Sequence, residues 1–387
     1  MHNQIAVVAL AAAALAACSP DHGGMGPRGA AAQAVKLEAG ATSAVATDDA
    51  PGAVYTLMNL TATAGGGGNA VAMFTRAADG TLTAAGTVAT GGTGTGSGLG
   101  SQGALALSDD GRWLFAVNAG SNDFSILRVS PTGLALIKRI ASGGTQPISL
   151  TVHGNLLYVL NAGGRGNISG FALDNDGGAT AIPGATRSLS GAAVGPAEVA
   201  FSPDGRWLAV TEKTTNKIDV YAVGSDGLAT GPTPQASAGT TPFGFAFGLR
   251  NELLVSEAAG TASSYVLGAN GILTVTSGAV ATHQGAPCWL VVTNNGRFAY
   301  TANARSGTIS GFAVGTDGSL TLLDAGGNTA DVGPGNIDLA TSINGRYLYQ
   351  LRGSGPIVAL RVERDGHLTV LGRVGNMPGA VAGLVAR

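Results

Sequence analysis

The chain has 387 residues, 63 of them Gly and only 11% charged, with a formal net charge of −2. Globular chains average about 7% Gly and about 25% charged residues, so the composition agrees with an exported, turn-rich all-β protein. It holds no basic field for nucleic acid and no apolar run long enough for a membrane helix, and its two cysteines, Cys18 and Cys288, are too few for a disulfide framework or a structural zinc site.

The first 17 residues read as an address. Ala6 to Ala17 is a short apolar run ending in Leu15-Ala16-Ala17-Cys18-Ser19, which resembles a bacterial lipoprotein signal that leaves Cys18 as the lipidated first residue. An ordinary secretory signal cut near Cys18 is the alternative, and Met1-His2-Asn3-Gln4 lacks the usual positive charge. Residues 18–51 are Ala/Gly-rich without periodicity and read as a flexible tether. The expected location is the bacterial cell envelope, periplasmic, with membrane contact only through a lipid on Cys18.

Residues 52–387 carry a degraded repeat. Its clearest copy runs from Pro196 to Gly227: an apolar strand, the turn Ser202-Pro203-Asp204-Gly205-Arg206, a strand ending on a polar residue, a third strand, and Ser225-Asp226-Gly227. The turn returns as Asp109-Asp110-Gly111-Arg112, Asn294-Asn295-Gly296-Arg297 and Ile343-Asn344-Gly345-Arg346. Asp-Gly and Asn-Gly between alternating apolar runs signal hairpins. The polar residue closing the second strand recurs at Asn59, Asn118, Asn161, Glu212, Glu257, Asn303 and Arg352, at spacings of 59, 43, 51, 45, 46 and 49. A period of about 40–50 residues is that of a four-stranded propeller blade, so seven antiparallel blades are expected. The long first spacing contains a Gly/Thr/Ser run, Gly91 to Ser101, read as a loop.

The first strands begin near Gln102, Pro147, Pro196, Pro242, Pro287 and Asn336, and once more at Pro378, where no blade follows. The first unit starts at Ala53-Val54-Tyr55 with a second strand and lacks an inner one. The C-terminal strand is therefore expected to complete the first blade and close the ring, leaving no open sheet edge.

The start of each first strand and the end of each second strand share a face, which is expected to place two rows of side chains at one channel mouth. The first row reads Ala380, Ala104, Ser149, Glu198, Gly244, Trp289 and Asp338 in blade order; the second is the Asn/Glu/Arg row above. Three of the chain's six Glu fall in these rows. Glu198, Glu212 and Glu257 lie on blades four and five, with Trp289, Asp338 and Arg352 on blades six and seven and His283 in the loop entering blade six. Crowded carboxylates raise one another's pKa, which suits acid–base chemistry. Structural pairing of Glu212 with Lys213 or Lys217, and of Asp338 with Arg352, is the competing explanation. Cys288 reads as a buried small hydrophobe rather than a nucleophile.

Ser202-Pro203-Asp204-Gly205-Arg206-Trp207, Tyr300-Thr301-Ala302-Asn303 with Ser306-Gly307-Thr308-Ile309, and Gly315-Thr316-Asp317-Gly318-Ser319-Leu320 resemble the seven-bladed lactonase family. That family includes 6-phosphogluconolactonases and carboxy-muconate lactonising enzymes. The resemblance implies a cofactor-free enzyme acting on a small lactone or its ring-opened acid, using a channel-mouth histidine, a carboxylate and an arginine. Glu212 matches the acid's place; Pro196-Ala197-Glu198 stands where the histidine is expected. The implied assignment is Glu212, Glu198 and His283 for catalysis, with Arg352, Asp338, Trp289 and Glu257 binding substrate. It calls for no metal, and the chain is expected to be a monomer. The alternatives are a non-enzymatic scaffold binding a protein or envelope component, and a metal-dependent gluconolactonase-like hydrolase whose oxygen ligands are Glu198, Glu212, Glu257 and Asp338.

Overall fold

The computed structural model describes residues 50–62, 68–353, 355–377 and 380–387. The signal, Cys18 and all but the last two residues of the tether lie outside them. Among the described residues there is no helix, and the strands form seven antiparallel sheets of four strands each, two of them with a divided outer strand. This is the expected seven-bladed propeller. Asn-Gly and Asp-Gly turns join the strands within each blade, and inner and middle strands are buried on both faces because every sheet packs between two others. Trp113–Asn118 is buried along its whole length, whereas the outer Leu82–Ala89 alternates and faces solvent.

The ring closes as expected. The last strand, Ala382–Ala386, pairs antiparallel with the first, Gly52–Leu57, placing Val54 opposite Ala386 and Tyr55 opposite Val385. Arg387 N donates to Ala53 O at 2.9 Å and Thr56 Oγ1 to Gly383 O at 2.8 Å. The strand starts at Ala382 instead of Pro378; Pro378 and Gly379 lie outside the described residues. In blade two the inner strand is Leu105–Leu107, three residues later than Gln102, because Gln102 is drawn to other blades.

Adjacent blades interlock through the two turn signatures. The aromatic residue after each turn arginine lies under the turn glycine of the following blade: Trp113 under Gly177, Trp207 under Gly271, Phe298 under Gly366, and Tyr347 under Gly80. A Cβ at any of these glycines would enter the ring, and φ is +77° to +91° at all four, a region that L side chains rarely adopt. Tyr300 Oη and Tyr349 Oη donate to the carbonyls of Gly366 and Gly80 at 2.7 and 3.0 Å. Repeat and ring are thus one device.

Cys288 is wholly buried in the hydrophobic core; the chain's other cysteine, Cys18, lies outside the described residues.

Candidate functional site

The second row does not line the mouth. Asn59, Asn118, Asn161, Glu212, Glu257 and Asn303 are all 0% exposed, because the ends of the second strands turn inward and hold the loops between strands and between blades. Asn118 Nδ2 donates to Asp123 Oδ1 at 2.7 Å and Ser125 Oγ at 2.8 Å; Asn303 Nδ2 donates to Thr308 Oγ1 at 3.0 Å and Ser310 Oγ at 2.8 Å. Glu257 does the same work as an acceptor, receiving Gly239 N at 2.9 Å, Ser263 Oγ at 2.5 Å and the hydroxyl of Thr261. Burial raises the Glu257 carboxyl, opposed by these donors.

Glu212 follows the same pattern. Its Oε1 accepts Ser190 N at 3.0 Å, and its Oε2 accepts Ser190 Oγ and Thr215 Oγ1, both at 2.6 Å. It pairs with neither Lys213 nor Lys217; its partner is another acid. Asp219, buried on the third strand, accepts Ser190 N through Oδ2 at 2.9 Å, while its Oδ1 is left without a partner. Burial, with Glu212 adding to it, pushes Asp219 up to about 8. The Asp219 carboxyl therefore keeps its proton at neutral pH beside the Glu212 side chain.

Arg352 is half-buried and donates through Nε to Pro334 O at 3.0 Å, holding the loop that enters blade seven rather than Asp338. His283 is exposed on the loop entering blade six, with φ +56°. The predicted acidic sector is thus several separate sites. Among the described residues no group of three or more His, Cys, Asp or Glu is placed to hold a metal ion, so Glu198, Glu212, Glu257 and Asp338 do not converge as a ligand set.

The first row does face the axis. Glu198 Oε2 accepts Phe245 N of the next blade at 2.7 Å, and Asp338 Oδ1 accepts Leu339 N at 2.8 Å while Oδ2 stays buried without a side-chain partner. Burial pushes both carboxyls well above the usual range, and the charge of Asp338 adds to the effect on Glu198. Trp289 packs on Phe243, with ring centroids 5.1 Å apart, and donates through Nε1 to Ser101 O at 2.9 Å.

That last bond shows what fills the mouth. The Gly-rich segment expected to be a plain loop turns down into the axis: Ser101 Oγ donates to Ile148 O at 2.8 Å, Gln102 N to Ala197 O at 3.1 Å, and Leu150 N to Gly103 O at 2.8 Å. The Gln102 amide crosses to blade six and makes a two-way bond, Nε2 to Leu290 O at 2.8 Å and Leu290 N to Oε1 at 3.0 Å. Gly244 sits where a Cβ would strike Gln102 Oε1, which accounts for glycine in the first row there. The void beneath residues 98–101 is about 10 Å³, room for roughly one water and not for a substrate.

An open cleft lies beside this plug, over blades three and four. It has a volume of about 280 Å³ and is walled by Leu99, Ile148, Leu189 and Val194, with Gln146, Arg165 and Lys213 as its long polar side chains and no carboxylate in the lining. Lys213 Nζ donates to Gly100 O at 2.5 Å and lies 4.7 Å from the centroid of Phe243; burial pushes its ammonium down to about 8. Arg165 is exposed at the rim. Sequence reasoning missed both. In the sequence Lys213 reads only as a partner for Glu212, and its place in the cleft depends on how the second row turns inward.

Residues 67–186 match the family described as "Lactonase, 7-bladed beta-propeller". A 6-phosphogluconolactonase of Serratia proteamaculans (strain 568) is 26% identical over 280 residues, covering 67% of this chain and 80% of that protein. Among solved structures, the periplasmic gluconolactonase of Pseudomonas aeruginosa superposes with a TM-score of 0.67 at 19% identity, covering 86% of this chain and 99% of that one. A protein from Lactobacillus plantarum gives 0.71 at 18%, covering 87% and 100%. At these identities the two structural likenesses are likenesses of fold.

Proposed function

We propose that this propeller of the seven-bladed lactonase type hydrolyses a small lactone bearing an anionic group, bound in the cleft beside the plug. The observation that carries the reading is a cleft with two cations, Lys213 and Arg165, and no carboxylate in its lining. A guanidinium and a partly desolvated ammonium suit a carboxylate or phosphate substituent, and the 6-phosphogluconolactonase relative makes a phosphorylated sugar lactone the first substrate to try. Ser190 and Glu212 are sequence neighbours of the wall residues Leu189 and Lys213, and the Ser190 hydroxyl already donates to Glu212 at 2.6 Å. In this reading water attacks the lactone carbonyl and passes its proton to Ser190 Oγ, whose own proton moves to Glu212. The ring C–O bond breaks and the leaving alkoxide takes the proton back.

The test is a lactone panel that includes 6-phosphogluconolactone and unphosphorylated gluconolactone. Loss of a charge-assisted bond costs about 1.5–3 kcal/mol, so Lys213→Ala is expected to raise KM for the phosphorylated lactone about 10- to 100-fold with little change in kcat. Glu212→Gln is expected to lower kcat by about 10² to 10⁴. A Gln variant as fast as wild type makes Glu212 a purely structural residue. If no lactone in the panel is opened, the scaffold reading replaces the enzymatic one. That second reading is favoured by the plug, which closes the axis with the chain's own residues. The exported, lipid-anchored location is proposed on Leu15-Ala16-Ala17-Cys18 and is tested below.

A further inference from the structure

On the face opposite the mouth, the hairpin turns of blades six, seven and one enclose a second cleft of about 460 Å³, in which Arg297, Arg346, Arg361 and Arg364 meet Asp79 and Glu363. The chain has seventeen Arg and a net charge of −2, so four arginines in one cleft is a strong local departure.

The turn chemistry accounts for it. In blades two and four the turn is Asp-Gly-Arg, and the aspartate pairs with the arginine of its own turn, Asp110 with Arg112 at 3.8 Å and Asp204 with Arg206 at 2.7 Å. In blades six and seven, which flank the cleft, the same position is Asn295 and Asn344. The turn bond survives the change: Arg297 N and Arg346 N donate to the Asn Oδ1 atoms at 3.0 and 3.1 Å, as Arg112 N and Arg206 N do to their Asp Oδ1 atoms at 3.0 and 3.2 Å. Replacing the carboxylate by an amide therefore keeps the hairpin and removes the charge that would neutralise the guanidinium. The two acids of the cleft leave its four guanidinium groups in excess. Glu363 accepts from Arg361 at 2.7 Å, and Asp79 accepts from Thr81 N at 3.0 Å and Thr81 Oγ1 at 2.6 Å. Arg297, Arg346 and Arg364 are exposed around a floor formed by buried Phe298 and Tyr347. That floor is rigid, because Tyr347 Oη is tied to Ala78 O at 2.8 Å and a blade glycine packs on each ring.

We propose that this cleft is a second binding site, for a small multivalent oxyanion carrying two or more phosphate or carboxylate groups. Guanidinium groups converging on one concavity match such oxygens in pairs, and the site is on the far side of the ring from the lactone cleft, so it stands whether or not that reading holds.

The probes are inorganic pyrophosphate and citrate, titrated calorimetrically into the folded protein at about 150 mM salt, where surface fields are screened beyond ~8 Å. The decisive variant is Asn295→Asp/Asn344→Asp, which restores the turn carboxylates of blades two and four and preserves the turn bonds. At least tenfold weaker binding of whichever probe binds wild type is expected, with unchanged melting temperature and unchanged activity on any lactone the wild type opens. Arg297→Gln/Arg346→Gln is expected to lose binding to a similar degree. Binding by pyrophosphate alone supports a phosphate ligand, and by citrate alone a carboxylate one. If neither probe binds wild type, or the Asp variant binds as tightly as wild type, the proposal is wrong.

Discussion

Replacing Asp219 by Asn should change how stability depends on pH. Asp219 is held at about 8 in the folded chain, against an ordinary value of 3.8. Its folded pKa is raised, so the folded state binds the extra proton; the associated stability is fully present below the unfolded pKa and is lost as pH rises from about 4 through about 8. One retained proton corresponds to a slope of about 1.4 kcal/mol per pH unit, or about 2–3 kcal/mol between pH 5.5 and 7.5. The other raised carboxyls, Glu198, Glu257 and Asp338, act in the same direction but are common to both proteins. An Asn at 219 offers an N–H to the Glu212 carboxylate in place of the proton, so its contribution no longer titrates. Urea unfolding of wild type and Asp219→Asn at pH 5.5, 6.5 and 7.5 measures the difference directly. Wild type should lose stability relative to the variant by about the stated amount over that range. Parallel pH profiles would show that Asp219 does not hold a proton in the folded chain, and this account of Asp219 would fail with them.

Gly244→Ala should drive Gln102 off its bond with Leu290 and leave a buried N–H and C=O unpaired, at about 1–3 kcal/mol each; limited proteolysis within residues 91–101 should become faster, and unchanged cleavage would mean that Gln102 does not hold the plug. Deleting residues 378–387 removes the inner strand of blade one and should expose two sheet edges, seen as aggregation or loss of a single cooperative unfolding transition; unchanged melting and solubility would contradict closure by the last strand. Cys18→Ala should lose lipid label and membrane partitioning in a bacterial host. Lipidation uses the Cys18 sulfur and excludes a bridge from it to Cys288, so intact mass with and without reductant separates the two states, and a bridged, lipid-free chain would refute the anchor.

The architecture was readable because its determinants are local and repeated. The Asn/Asp-Gly-Arg turns, the aromatic that follows them and the later Asp-Gly or Asn-Gly turns are the very groups that interlock successive blades, as Trp207 and Gly271 show. The candidate site was less readable for two physical reasons. In blades three to seven the register shifts by one residue at the start of the inner strand, as between Pro196 and Glu198. Strand alternation therefore located both rows on one face without giving their directions: Glu198 turns to the axis, and Glu212 turns into its blade. The second reason is range. The bonds of Gln102 with Leu290 and of Trp289 with Ser101 span 188 residues, and nothing in a Gly/Thr/Ser run announces a partner so distant.

The plug also decides where chemistry can take place. With the axis filled, Glu198 and Asp338 are buried behind Gln102 and Ser101, and their raised pKa values describe acids kept from water. Perturbed carboxyls are commonly taken as a mark of catalysis, but here burial is the leading cause and the nearest groups are backbone amides. The groups open to a ligand are cations at the rim, Lys213 and Arg165 on the mouth face and the arginines of blades six and seven on the other. The carboxyls of Glu198, Glu212, Glu257 and Asp338 are thus interior, where they fasten blades and loops, while guanidinium and ammonium groups face the two clefts and outnumber the acids there, Asp79 and Glu363. Both proposals of an anionic ligand rest on that partition more than on any single residue.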